Sequence, residues 1–225
     1  MRRPLYCALA LLAAPAMAAD PAGYLEGSVG VALRDPSNEK PFNQLDLEYD
    51  TGTVLRFAAG QRYESGLMLR VDYGYTAYDE LTASGSLTVS RDIEQHDARL
   101  GVFYATPRKV AAGYRFGAGY AWARENQDPQ GGDSQAGGFL EAAAVLAGER
   151  VSWDLAVALM KLDGHDNYDA EAAELRAGAA FHRGRADVTV QLRYAIYQRE
   201  APFDEDVLEI RIGLGTGWNW PESAF

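Results

Sequence analysis

Long hydrophobic runs, thiols and positive charge are what this sequence has least of. Only one apolar run occurs, near the N-terminus, and it is too short for a transmembrane helix, which needs about 20 apolar residues. A helical membrane protein is thereby excluded. Cys7 is the only cysteine. Lysine is confined to Lys40, Lys109 and Lys161, and 32 acidic side chains against 21 basic ones give a formal net charge of −11. A nucleic-acid partner is not expected, because binding one takes a basic face. Disorder is excluded too, since 48% of the residues are hydrophobic and disordered chains are poor in them. What the chain does hold is glycine (23) and tyrosine (13) in quantity, a balance common in strand-rich proteins. A length of 225 residues suits one all-β domain.

Residues 1–18 read as a secretory signal peptide. Arg2 and Arg3 supply the positive start, Leu5–Ala14 the apolar stretch, and Ala16-Met17-Ala18 the small-x-small cleavage site. The mature chain is expected to begin at Ala19, with 19–225 forming one domain. Cys7 leaves with the leader, so no disulfide or thiol chemistry is expected of what remains. Loss of Arg2 and Arg3 makes the mature balance still more acidic.

Past Tyr24 the sequence alternates with period two, the mark of strands that have one apolar face. Leu67, Leu69, Val71, Tyr73 and Tyr75 share a face opposite Arg70 and Asp72. Val110–Trp122, Ala186–Ile196 and Leu208–Trp218 alternate in the same way. Weaker versions run over Leu25–Arg34, Leu45–Tyr63, Ala98–Tyr104, Val151–Leu159 and Ala173–Phe181. Phe139–Ala147 is alanine-rich and helix-compatible by propensity, but both its neighbours need an antiparallel partner, so a strand is predicted. That makes ten strands. Tight connections (Tyr63–Gly66, Pro107–Lys109, Gly148–Arg150, Arg183–Arg185) alternate with longer polar ones (Asp35–Gln44, Tyr78–Asp97, Glu125–Gly138, Asp163–Ala172, Glu200–Asp206). Short turns at one end and long loops at the other define an up-and-down antiparallel meander.

A soluble lipocalin-like cup would show the same alternation. The even strand number, the unequal loops and the aromatic chain end favour lipid instead. In a bilayer a closed sheet satisfies every ladder hydrogen bond, turns its apolar face to hydrocarbon and its polar face to the lumen. Tyr24, Tyr63, Tyr75, Tyr104, Trp122, Tyr194 and Trp218 stand near segment ends, where an interfacial girdle is expected. The fold predicted is a closed antiparallel up-and-down transmembrane β-barrel of 10 strands, with 8 as the alternative.

The stretch Leu45-Asp46-Leu47-Glu48-Tyr49-Asp50-Thr51-Gly52, with Phe57–Tyr63 and Leu69–Tyr75 after it, resembles the opening of OmpA/OmpX-like small outer-membrane barrels. In that family an aromatic-Asp-Thr-Gly segment heads the second strand. The resemblance implies the outer membrane, with lipid and lipopolysaccharide around the barrel. The best-known members have eight strands, which is where the alternative number comes from. Gly215, Trp218 and Trp220 have the glycine-to-aromatic spacing of the signal read by the barrel-assembly machinery, and Phe225 is a terminal aromatic.

Under this reading the lumen gathers Glu26, Arg34, Arg56, Arg70, Asp72, Arg99, Arg115, Glu141, Asp154, Glu174, Arg176, Asp187, Arg193, Glu209 and Arg211. Both signs mix, which predicts cross-strand ion pairs filling the barrel. Small inward residues (Gly117, Gly119, Gly178, Gly213 and Gly215) keep open the alternative of a narrow diffusion pore. The long loops are acidic and the tight turns basic. No surface ligand can be named from them. His165 beside Asp163 and Asp166 is the only local pairing that imitates an outer-membrane protease. His96 precedes Asp97, but neighbours in sequence rarely share a face. His182 falls on the inward side near the turn end, wrong for an external lipid deacylase. Glycine-rich phosphate loops, zinc spacing and nucleophile elbows do not occur, and Asp163–Glu171 lacks EF-hand spacing. Neither catalysis, nor a cofactor, nor a metal is expected.

Overall fold

The computed structural model describes residues 22–37, 50–84, 87–106, 112–127, 131–164, 169–183, 186–199 and 204–218. Among them run ten strands: β1 (Ala22–Ser37), β2 (Asp50–Arg62), β3 (Leu67–Ser84), β4 (Leu87–Ala105), β5 (Ala112–Gln127), β6 (Gly131–Leu146), β7 (Val151–Gly164), β8 (Ala170–Arg183), β9 (Ala186–Arg199) and β10 (Asp204–Trp218). Each pairs antiparallel with its sequence neighbours, and β1 closes the ring on β10, from Gly23↔Trp218 to Ser37↔Asp204. Closure leaves no unpaired edge, the condition for a sheet to cross hydrocarbon. Phe139–Ala147, helix-compatible by composition, lies within β6, since an isolated helix there would leave β5 and β7 bare.

The alternation places every apolar stripe outside. Phe116 is 56% exposed, Leu192 43% and Leu214 67%, whereas Arg193 on the other face is 4% exposed and Glu209 1%. A soluble cup would invert this, so the lipocalin-like alternative is set aside. Tyr104, Tyr114, Trp153 and Phe181 cluster outside at the short-turn end. Tyr73, Tyr75 and Tyr194 bond His96, Glu94 and Asp206 through their hydroxyls, toward the other end of the apolar belt. Hydrophobic rings with a polar tip suit that boundary.

Tyr24 corrects the expected girdle. It lies inside the barrel, 6% exposed, with its ring against the backbone of Gly60, its partner across β1 and β2. A Cβ at position 60 would stand 2.2 Å from the ring, so only glycine admits it. The turn between β2 and β3 uses the other freedom of glycine, a positive φ of 88° at Gly66. It is closed by Tyr63 N–H on the Leu67 carbonyl at 2.8 Å.

The strands outrun the periodicity. Tyr78–Asp97, expected as a loop, is a hairpin whose ladder continues from Tyr78↔Ile93 to Ser84↔Leu87. Glu125–Gly138 is likewise consumed largely by β5 and β6, and β7 and β8 extend into Asp163–Ala172 from its two ends. Beyond the belt the outward face no longer meets hydrocarbon, so its residues turn polar and the alternation vanishes while the hydrogen bonds continue. Leu45–Tyr49, Pro107–Lys109 and His165–Tyr168 lie outside the described residues.

Candidate functional site

The interior of the barrel is stacked in layers. At the long-loop end Ala32, Val54, Tyr78, Ile93 and Val207 form a buried apolar cluster across the lumen. Arg34 stands at that end too, 3.2 Å from Glu205 and with its guanidinium over the Tyr78 ring.

Below this layer lies the ionic core. Period two sends every second residue to the inside, and ten strands bring the charged ones among them to matched heights. Glu174 on β8 receives Arg99 from β4 across the barrel, at 2.6 and 2.9 Å, with Arg193 at 2.6 Å and Arg176 at 3.0 Å. Glu209 on β10 receives both Nε and Nη2 of Arg56, at 3.0 and 2.8 Å, together with Arg193 and Arg211. Glu141 on β6 receives Arg115 at 2.9 Å, Arg70 at 3.5 Å and Arg176. Three glutamates are thus held by three arginines each. Arg176 and Arg193 are shared, which fuses the groups into one chain across the lumen. Two-pronged guanidinium–carboxylate bonds fix geometry as well as charge. Buried charge is tolerable only when its remaining donors and acceptors are also met.

Around this chain, Arg70 also bonds Asp72 at 2.8 Å and Arg115 stands 3.5 Å from Asp154. Glu26 accepts from Thr189 and Gln191 at 2.7 and 2.6 Å, and Gln191 in turn accepts from Arg211 at 2.7 Å. Phe103 and Phe139 pack 6.2 Å apart, with Arg115 over the Phe103 ring. These rings occupy the space above Gly101, Gly117 and Gly119. The gap that Gly117 and Gly119 suggested from sequence is therefore filled by neighbouring aromatics.

A cavity of about 160 Å³ remains, reaching from Arg62, Met68, Thr106, Ser152 and Ala180 near the short-turn end to Arg99, Glu174 and Arg193 of the ionic core. Asp187, expected in the ion network, sits near the short-turn end, apart from the arginines. Its Oδ1 lies 2.9 Å from His182 Nδ1, and His182 Nε2 lies 2.8 Å from Ser152 Oγ. The other expected lumen charges face inward, joined as described. Gly215 and Trp218 lie on β10 opposite Glu26 and Gly23; Trp220 and Phe225 fall outside the described residues.

One inward residue, Asp97, and one contact, between Ser152 and His182, escape the sequence. Asp97, which binds Arg56 at 2.7 Å, was assigned to a loop, although extending the parity of Arg99 upstream reaches it. Parity puts Ser152 and His182 on the inward face, but nothing in the sequence brings them together. Their contact depends on the registers Ser152↔Ala180 and His182↔Asp187. His96, by contrast, faces outward to Tyr73 at 2.8 Å, while Asp97 faces in.

A closed sheet, apolar without and ionic within, defines a transmembrane β-barrel. The model of the outer membrane protein beta-barrel domain matches residues 5–219, and the chain belongs to that family, in keeping with the resemblance of residues 45–76. Its place is accordingly the outer membrane. No curated protein matches the sequence. Among solved structures, the outer membrane protease OmpT from Escherichia coli is similar with a TM-score of 0.57 at 6% identity, over 88% of this chain and 97% of that one. The β domain of the Bordetella autotransporter BrkA gives 0.54 at 10%, over 88% and 100%. The translocator domain of the autotransporter NalP from Neisseria meningitidis gives 0.51 at 9%, over 94% and 93%. At such identities the likeness is one of fold.

Proposed function

We propose that the protein is a rigid, plugged outer-membrane barrel that serves a structural and surface-displaying role. The carrying observation is the shared arginine chain on Glu141, Glu174 and Glu209, with the apolar layer around Tyr78 and Ile93 stacked over it. In this reading the filling closes the water path and holds the strands in fixed register. In this reading residues 1–18 direct export and are removed. Gly215, Trp218, Trp220 and Phe225 are read by the assembly machinery, the tight turns face the periplasm, and lipid and lipopolysaccharide surround the belt. Neither a cofactor nor catalysis is needed for this role.

A narrow diffusion pore is the competing reading, and the cavity reaching from near the turn end to the ionic core is the observation on its side. Planar-bilayer recording decides between them. The plugged barrel gives no reproducible single-channel steps. A pore gives steps whose size changes when Arg115 and Arg193 are neutralised.

A further inference from the structure

Ser152, His182 and Asp187 come from three consecutive strands and meet in a line inside the barrel. The Asp187 carboxylate only accepts hydrogen bonds, so at 2.9 Å it holds the imidazole proton on Nδ1. Nε2 is then the acceptor, and the Ser152 hydroxyl donates to it at 2.8 Å. That is the order of nucleophile, base and orienting carboxylate by which a serine is activated, an arrangement recognised by geometry and not by chain order. A buried polar knot would satisfy the same three groups. What sets this one apart is that Ser152, although only 1% exposed, lines the wall of the cavity of about 160 Å³.

We propose that Ser152, His182 and Asp187 form an acyl-transfer site that takes short-chain carboxylic esters. The cavity sets the substrate class. A volume of this order admits a benzene-sized molecule (about 150 Å³) and excludes a lipid acyl chain. Ser152 Oγ attacks the ester carbonyl carbon while its proton passes to His182 Nε2. The new Oγ–C bond forms, the C–O bond to the alcohol breaks, and Nε2 returns the proton to the departing alkoxide. Water then adds to the acyl carbon with the same base. The acid leaves and Ser152 recovers its proton. Ser152 is itself paired with Ala180 in the ladder, so in this proposal side chains meet the oxyanion. Arg115 and Arg176 line the same cavity, and a guanidinium has five donors, enough to serve a carboxylate and an oxyanion together. Asp187 is a positioning residue, acting through the imidazole.

The test uses the barrel folded in detergent micelles, diisopropyl fluorophosphate as the covalent probe, and the p-nitrophenyl esters of acetate and palmitate. The expected result is a phosphoryl adduct located on Ser152 by peptide mass spectrometry. Acetate-ester hydrolysis should fall about 100-fold or more in Ser152→Ala and His182→Gln, with the palmitate ester untouched. Asp187→Asn should lower kcat about 100-fold with KM unchanged, a split that mere loss of packing does not produce. Heat-modifiable migration of each variant shows that it has folded. Ser152→Cys, probed with iodoacetamide, reports access to the site on its own. The proposal is overturned if the folded protein gives no adduct at Ser152, if hydrolysis survives Ser152→Ala, or if the cysteine at 152 stays unreacted in a folded, inactive barrel.

Discussion

The Tyr24 ring fills the place of the missing Gly60 side chain, the two residues standing at paired positions on β1 and β2. The missing side chain on one strand is the seat of the large one on the next. Gly60→Ala forces a Cβ to within 2.2 Å of that ring, and overpacking of this kind costs about 1–3 kcal/mol. Guanidinium unfolding in micelles should show it as an earlier midpoint, and Gly60→Ala combined with Tyr24→Leu should recover part of the loss.

Arg193 is the joint of the ionic chain, bonded to Glu174, to Glu209 and to the Tyr197 hydroxyl at 2.7 Å. Arg193→Met takes one of three arginine partners from each of two glutamates, and breaking a buried pair costs up to about 3–5 kcal/mol. Adding Glu174→Gln and Glu209→Gln to it should cost less than the separate losses together. Additive losses in a mutant cycle would show that the three residues are not coupled.

Salt separates this network from surface pairs. Exposed charges are screened over about 8 Å at physiological ionic strength, and buried ones much less. The unfolding temperature of the barrel in a non-ionic detergent should change little between low and high sodium chloride. A steep fall would mean that the arginine chain is hydrated and open.

The outward stripe is tested by charge. Phe116 and Leu192 stand in the lipid belt, where an arginine costs about 2–4 kcal/mol at mid-bilayer depth. Phe116→Arg and Leu192→Arg should therefore lower the yield of folded barrel in vesicles. Gln198→Arg, outward but near the end of β9, should leave the yield unchanged.

The barrel itself was readable because lipid enforces one rule on every crossing: alternate positions must be apolar. Leu67–Tyr75 and Ala186–Ile196 obey it without exception, and their lumen partners follow by parity alone. Where that rule lapses, legibility lapses with it. Glu80 and Arg91 face each other in the ladder, yet nothing in their polarity distinguishes a strand from a loop. Tyr24 was misplaced for a related reason, since an aromatic near a strand end looks the same whether it anchors at the interface or fills the lumen. Only Gly60, two strand positions before the turn, shows which. The Ser152, His182 and Asp187 contact was unreadable in a stronger sense. It joins three strands by register, and register is a property of pairs that no single segment displays.

The seam between β1 and β10 has a consequence for how the polypeptide matures. The first strand made waits for the last one, so its outer flank has no native neighbour until Asp204–Trp218 has arrived. A polypeptide cut short before that point carries two bare flanks, each a template for unwanted pairing with other chains. The whole circle rests on its slowest and most distant union, which makes the final fifteen residues of the described ladder the natural checkpoint of assembly.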